Sequence, residues 1–451
     1  MRKFVNYFSF PTRKTSFLII LTIILVTVLD STIFKFAAYA EFYLPISLHV
    51  EIFLVFSVLF SLSCFILINM ARKSSELYFT SSIKMKYFNW FAFYSQILIL
   101  CIILTIILQI IIFNKYSVSL LAIEVYLSYA SALFYLVFLI FIFARWLKTK
   151  RNYLIILFMI SFTLLVTNLF ISIIYLESYF SRAISIHSDR TKHSLTTIVT
   201  DFPFLPNKRD IVTVFNLLSI LSFAFMWIST VILLSQYRYR LGRIKYFILI
   251  SLPLIYYVSP LEPYIEEMLL SFIIESPAIP ATLYLLSLNV TKQIGALFFS
   301  IYFLIASNLI TAKKVRQSLL ISGIGMVIVF SSLEIETLQY IFYPPYGLIT
   351  AAFMPVGSYL LFIGIFSSAQ KISRNIEIRK ELYKSAKKEL SFLKEISEAQ
   401  QMQELANKCR YIADRSDIYV YKHNPDLEQK EVMEIIEHVM NELHISKIKK
   451  S

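Results

Sequence analysis

Apolar runs long enough to cross a bilayer follow one another along most of the chain, near residues 15–36, 45–70, 88–113, 119–145, 152–176, 211–236, 244–260, 291–312, 317–340 and 347–368. A hydrocarbon core takes about 17 to 25 apolar residues per helical crossing, so these runs predict about ten transmembrane helices. Inside lipid every backbone N–H and C=O has to be paired within its own segment, which requires helices. A barrel would show apolar and polar residues in alternation, and these runs do not. The predicted fold is an all-α polytopic membrane protein, with residues 1–368 forming the multi-span domain and 369–451 a helical tail.

Composition agrees. Hydrophobic residues make up 57% of the chain and charged residues 16%, with a mean hydropathy of +0.67; a soluble domain carries roughly a quarter charged residues. The net charge of +14 would raise the question of nucleic acid in a soluble protein. Here the basic residues sit in short loops between apolar runs, so the expected partner is the lipid bilayer and not nucleic acid. Cys64, Cys101 and Cys409 are too scattered for a disulfide framework or a close-spaced zinc site, and no metal or other cofactor is expected.

Lysine and arginine set the orientation, because positively charged loops are retained in the cytoplasm. Arg2, Lys3, Arg13 and Lys14 precede the first run, Arg72, Lys73, Lys84 and Lys86 follow the second, and Arg145, Lys148, Lys150 and Arg151 follow the fourth. Further basic groups follow the sixth, eighth and tenth, so every second loop is basic. The expectation is a protein of the cell membrane with both termini cytoplasmic. Residues 177–210 then form an external loop, although Arg182, Arg190, Lys192, Lys208 and Arg209 fit that side poorly. The N-terminus also has a signal-peptide-like outline ending at Ala38-Tyr39-Ala40, but Asp30 and Lys35 interrupt it.

All seven glycines lie at or after Gly242, and prolines with glutamates interrupt the second half. Residues 259–290 hold Pro260, Pro263, Pro277 and Pro280 beside Glu262, Glu266, Glu267 and Glu275. Each proline removes a donor and disfavours helix continuation, so this stretch reads as an external cap or a re-entrant segment. Glu334, Glu336 and Tyr340 approach the same external side from the ninth run. Carboxylates are expensive in hydrocarbon and mark ion or ligand sites when they lie within a span. Glu262, Glu266, Glu334, Glu336 and Tyr340 are therefore the first candidate ligand or ion site. Asp30, His49, Glu51 and Glu124 form a second candidate cluster, at compatible depths toward the outer leaflet. Gly323, Gly325, Gly357 and Gly364 would let the last two spans approach closely, and Pro355 interrupts the tenth.

In the tail, Ala386, Leu390, Leu393 and Ile396 or Ser397, and then Met402, Leu405, Cys409 and Ile412, recur at three- and four-residue intervals within each group. This predicts an amphipathic helix or short coiled coil, a candidate surface for a cytoplasmic protein or a second copy through residues 370–412. A short α/β or helical end follows it. The tail has no Gly-rich phosphate loop, and the spans carry no nucleophile elbow, intramembrane zinc motif or paired-aspartate signature. No catalytic residue is assigned. The function expected is a non-enzymatic sensor or signalling subunit relaying an outer-side or intramembrane input through its tail; the alternative is a secondary transporter or channel using the outer-side glutamates for a cation or proton.

Overall fold

The computed structural model describes residues 21–27, 29–30, 46–79, 83–149, 152–180, 185–187, 208–235, 238, 242–254, 294–307, 310, 312–332, 344–374 and 391–416. Among these the helices are α1 (Ile46–Phe79), α2 (Ile83–Phe113), α3 (Val118–Thr149), α4 (Tyr153–Phe180), α5 (Lys208–Ser235), α6 (Arg243–Ser251), α7 (Ile294–Ser307), α8 (Lys313–Ser332), α9 (Leu348–Arg374) and α10 (Ser391–Ser416). Seven of them, α1 to α5 with α8 and α9, are long and apolar enough to cross a membrane. The chain is accordingly an integral, multi-pass membrane protein.

These seven helices coincide with seven of the ten predicted runs. Of the other three runs, the first is described only at residues 21–27 and 29–30, the seventh contributes the short α6, and the eighth contributes α7. Helices outlast their apolar runs: α1 continues to Phe79, beyond the run ending near residue 70. The run measures the thickness of hydrocarbon, whereas the helix ends only where backbone pairing does.

Two short strands were not foreseen. β1 (Lys115–Ser117) and β2 (Ser185–His187) pair antiparallel, with Lys115 opposite His187, Tyr116 opposite Ile186 and Ser117 opposite Ser185. The segment read as the external loop 177–210 is thus partly structured, since α4 runs to Phe180 and α5 begins at Lys208. Pairing satisfies backbone groups that a bare connection would leave to solvent.

The chain divides into two compact units, one of Met1–Ile140 with Leu157–Ser367, the other of Phe141–Ile156 with Ser368–Ser451. In the first unit, α8 and α9 pack backbone to backbone. A Cβ built on Gly325 would stand 2.5 Å from the Leu361 amide nitrogen and 2.9 Å from the Gly357 carbonyl oxygen. One built on Gly364 would meet the Ser322 side chain and lie 2.5 Å from the Ser322 amide nitrogen. Ser318 and Ser367 close the seam with hydroxyls 3.3 Å apart. Gly323 faces elsewhere, with ordinary room beside Leu304. Helices in lipid associate through such dispersion contacts and interhelical polar bonds. α4 and α5 use the polar route: Ser161 Oγ donates to the Ser222 carbonyl at 2.8 Å and Ser222 Oγ returns the bond to the Ser161 carbonyl at 2.9 Å.

The second unit gathers the end of α3, the start of α4, the end of α9 and α10. Asn152 caps α4, its Oδ1 accepting from the Leu154 amide at 2.7 Å. Of the α10 stripe read from the sequence, Leu393 and Ile396 are buried while Met402 and Leu405 are half-buried, and Phe392, Ala399, Phe143, Trp146 and Ile372 of the same unit are buried as well. Trp146 Nε1 donates to Gln400 Oε1 at 3.0 Å, and Arg374 pairs with Glu404 at 3.3 Å.

Candidate functional site

α9 begins without a cap of its own. Ala351 N–H donates to the Gly347 carbonyl at 3.0 Å, which makes Gly347 the residue flanking the first turn. Its φ of 83° is left-handed, a conformation glycine adopts without steric cost. Pro344 and Pro345 set the approach, and their carbonyls accept from Tyr346 at 2.9 Å and from Leu348 at 3.4 Å. A helix start leaves its first amides unpaired, and serine, threonine or aspartate at the flanking position ordinarily supplies an acceptor. Glycine cannot.

Asp30 supplies it from the far N-terminal part of the chain. Its Oδ2 accepts from the Thr350 amide at 3.0 Å and from Thr350 Oγ1 at 2.7 Å. Both residues are fully buried. A carboxyl group at this position also faces the positive end of the α9 dipole.

Tyr346 and His49 complete the cluster. Tyr346 Oη donates to the His49 carbonyl at 3.0 Å and lies 3.1 Å from His49 Nδ1. A phenol has one proton, so with that proton on the carbonyl the second bond is His49 Nδ1–H donating to the phenolic oxygen. Burial, and after it the neighbouring Asp30 carboxyl, push the Tyr346 phenol above its ordinary range, which keeps it a neutral donor. The Phe53 ring meets Tyr346 edge-on with centroids 6.1 Å apart. The arrangement holds three distant parts of the chain together through buried polar bonds, which are costly to break where water cannot replace them.

Of the second candidate cluster, then, Asp30 and His49 meet at the start of α9. Glu51 lies on the exposed side of α1. Glu124 is fully buried in α3 and accepts from Ser128 at 2.8 Å. The first candidate set, Glu262, Glu266, Glu334, Glu336 and Tyr340, lies outside the described residues, as does the re-entrant segment 259–290. Among the described residues no group of three or more histidine, cysteine, aspartate or glutamate side chains could hold a metal ion.

Tyr346 and Thr350 were missed in the sequence. The available signal was a Pro-Pro-Tyr-Gly entry to a helix with no acceptor at its flanking residue, which calls for one from elsewhere. Comparison of the chain with protein-family models, curated proteins and solved structures finds no match.

Proposed function

We propose that the chain is a non-enzymatic sensor or signalling subunit, in which an outer-side or intramembrane input acts on the Asp30, His49, Tyr346 and Thr350 cluster and is relayed by α9 to the cytoplasmic helix α10. What supports this reading is α9 itself. Its first turn is held by Asp30 and its last residue, Arg374, pairs with Glu404 of α10. Its apolar window is wholly buried, so the helix is surrounded by protein and not by lipid. It carries Thr350, Ser358, Tyr359, Ser367 and Gln370 among its buried residues, an unusual polar load for a span, and polar groups inside membranes are retained where they serve function or packing. A packed helix with polar anchors responds to a disturbance by moving between discrete arrangements, because packed interiors are not continuously deformable.

The reading is tested by a double-mutant cycle on the full chain in lipid nanodiscs, using Asp30→Asn and Gln400→Ala singly and together and following thermal unfolding. From Thr350 to Arg374 the helix rises about 36 Å at 1.5 Å per residue. Independent sites more than about 10 Å apart add to within about 0.5 kcal/mol. The relay requires a coupling of about 1 kcal/mol or more; strict additivity contradicts it.

A further inference from the structure

A second buried carboxyl lies in the first unit, on α3. Glu124 is fully shielded from solvent; Ser128 donates to its Oε1 at 2.8 Å, while its Oε2 has no hydrogen-bond partner among the described residues. Ser131 is in the same condition, its hydroxyl buried and without a partner among the described residues. Glu124, Ser128, Ser131 and Tyr135 succeed one another at intervals of four, three and four residues, which places them on one face of the helix. Polar atoms continue beyond that face: the Tyr135 hydroxyl is 3.4 Å from Ser95 Oγ, its ring centroid lies 5.5 Å from that of Tyr359, and Tyr359 Oη donates to Asn89 Oδ1 at 3.1 Å.

Among the described residues no ion pair reaches the Glu124 carboxyl. Leu121, Val125, Ala132 and Leu136 are buried apolar residues along the same helix. An oxygen left bare in such a medium is costly, and a bare carboxylate more so. A small positive charge would satisfy such an oxygen. A divalent ion would need six or more oxygen ligands with several carboxylates among them, and a transition metal would need imidazole or thiolate. One carboxyl with two hydroxyls on the same helical face matches the remaining class.

We propose that Glu124, with Ser128 and Ser131, is an intramembrane binding site for a small monovalent cation, a proton or a sodium ion. The Ser128 proton orients the carboxyl through Oε1, the cation sits on Oε2, and Ser131, two turns further along α3, continues the polar face. This site is separate from the Asp30 cluster and does not depend on the relay.

The test uses an apolar carbodiimide on the full chain in nanodiscs, with the modified residue mapped by peptide mass. The reaction is self-contained: the carboxylic O–H adds across one C=N bond, oxygen bonding to the central carbon and the proton going to nitrogen, and the adduct rearranges to a stable acylurea. Modification at Glu124 is expected. If the occupant is a proton, the rate, followed from about pH 5 to about pH 9, falls as pH rises because the reagent consumes the protonated acid, and sodium chloride acts no differently from choline chloride. If it is sodium, the ion at ten times its dissociation constant slows modification about elevenfold relative to choline. Absence of modification at Glu124 over that range, or modification indifferent to both pH and sodium, overturns the proposal. So does an undiminished label on the same peptide in the Glu124→Gln variant.

Discussion

Gly364→Ala and Gly325→Ala are expected to destabilise the protein, whereas Gly323→Ala should not. Glycine inside a helix ordinarily costs about 1 kcal/mol relative to alanine, so propensity alone would make all three changes favourable. Packing reverses the sign at two of them. A methyl at Gly364 would press against the Ser322 backbone nitrogen at 2.5 Å and the Ser318 carbonyl at 2.8 Å, and one at Gly325 against the Leu361 nitrogen at 2.5 Å. Backbone atoms of a neighbouring helix cannot step aside as a side chain does, so α8 and α9 would have to separate along their length. Overpacking of this kind costs about 1–3 kcal/mol. At Gly323 the nearest atom is a Leu304 methyl at 3.4 Å, which is ordinary contact. Thermal unfolding in nanodiscs should rank Gly323→Ala at or above wild type and the other two below it. Replacement of Gly364 by leucine should leave little monodisperse protein by gel filtration. Equal behaviour of the three alanine variants would mean that the seam between α8 and α9 is not as close as described.

The second large effect is expected at Asp30. Replacement by alanine removes the acceptor of both the Thr350 amide and the Thr350 hydroxyl, and the cluster is buried, so water does not take its place. A hydrogen bond to a carboxylate contributes about 1.5–3 kcal/mol, and the loss of two should cost about 3 kcal/mol or more. Asp30→Asn keeps an acceptor but not a second carboxyl oxygen, and should fall between alanine and wild type. Tyr346→Phe is the useful contrast. It loses the bonds to the His49 carbonyl and Nδ1 but leaves the α9 cap intact, so its cost should be smaller than that of Asp30→Ala. If the two rank the other way, the anchor of α9 is Tyr346 and not Asp30.

The spans were legible because lipid imposes a length and forbids unpaired backbone, two constraints that appear directly as apolar runs. The close approach of α8 and α9 was legible for a similar reason, since Gly357 and Gly364 are seven residues apart and lack the side chains that would hold helices away. What could not be read is which face of each helix meets protein. Leu104 and Ile111 on α2 are exposed while Ile103 and Ile106 beside them are buried, yet all four are equally apolar, because lipid and protein interior make the same demand. Asp30 and His49 stood out as charged or titratable groups in apolar runs. Their partners did not, since Thr350 is 320 residues from Asp30 along the chain and a single threonine at the start of a span carries no mark of its role. In the tail, the spacing from Leu393 to Ile396 revealed an amphipathic helix but not what it covers. Its hydrogen-bond and ion-pair partners, Trp146, Thr149 and Arg374, come from segments that read simply as span ends.

In the proposed relay, α9 joins a polar anchor at one end to the tail helix at the other. Amide hydrogen exchange of the full chain in nanodiscs, comparing wild type with Asp30→Asn, tests it in one measurement. The relay expects faster exchange both in the first turn of α9, residues 348–352, and in residues 391–404 of α10, because a helix released at its start no longer holds its end in one arrangement. Faster exchange confined to residues 348–352, with α10 unchanged, would contradict it.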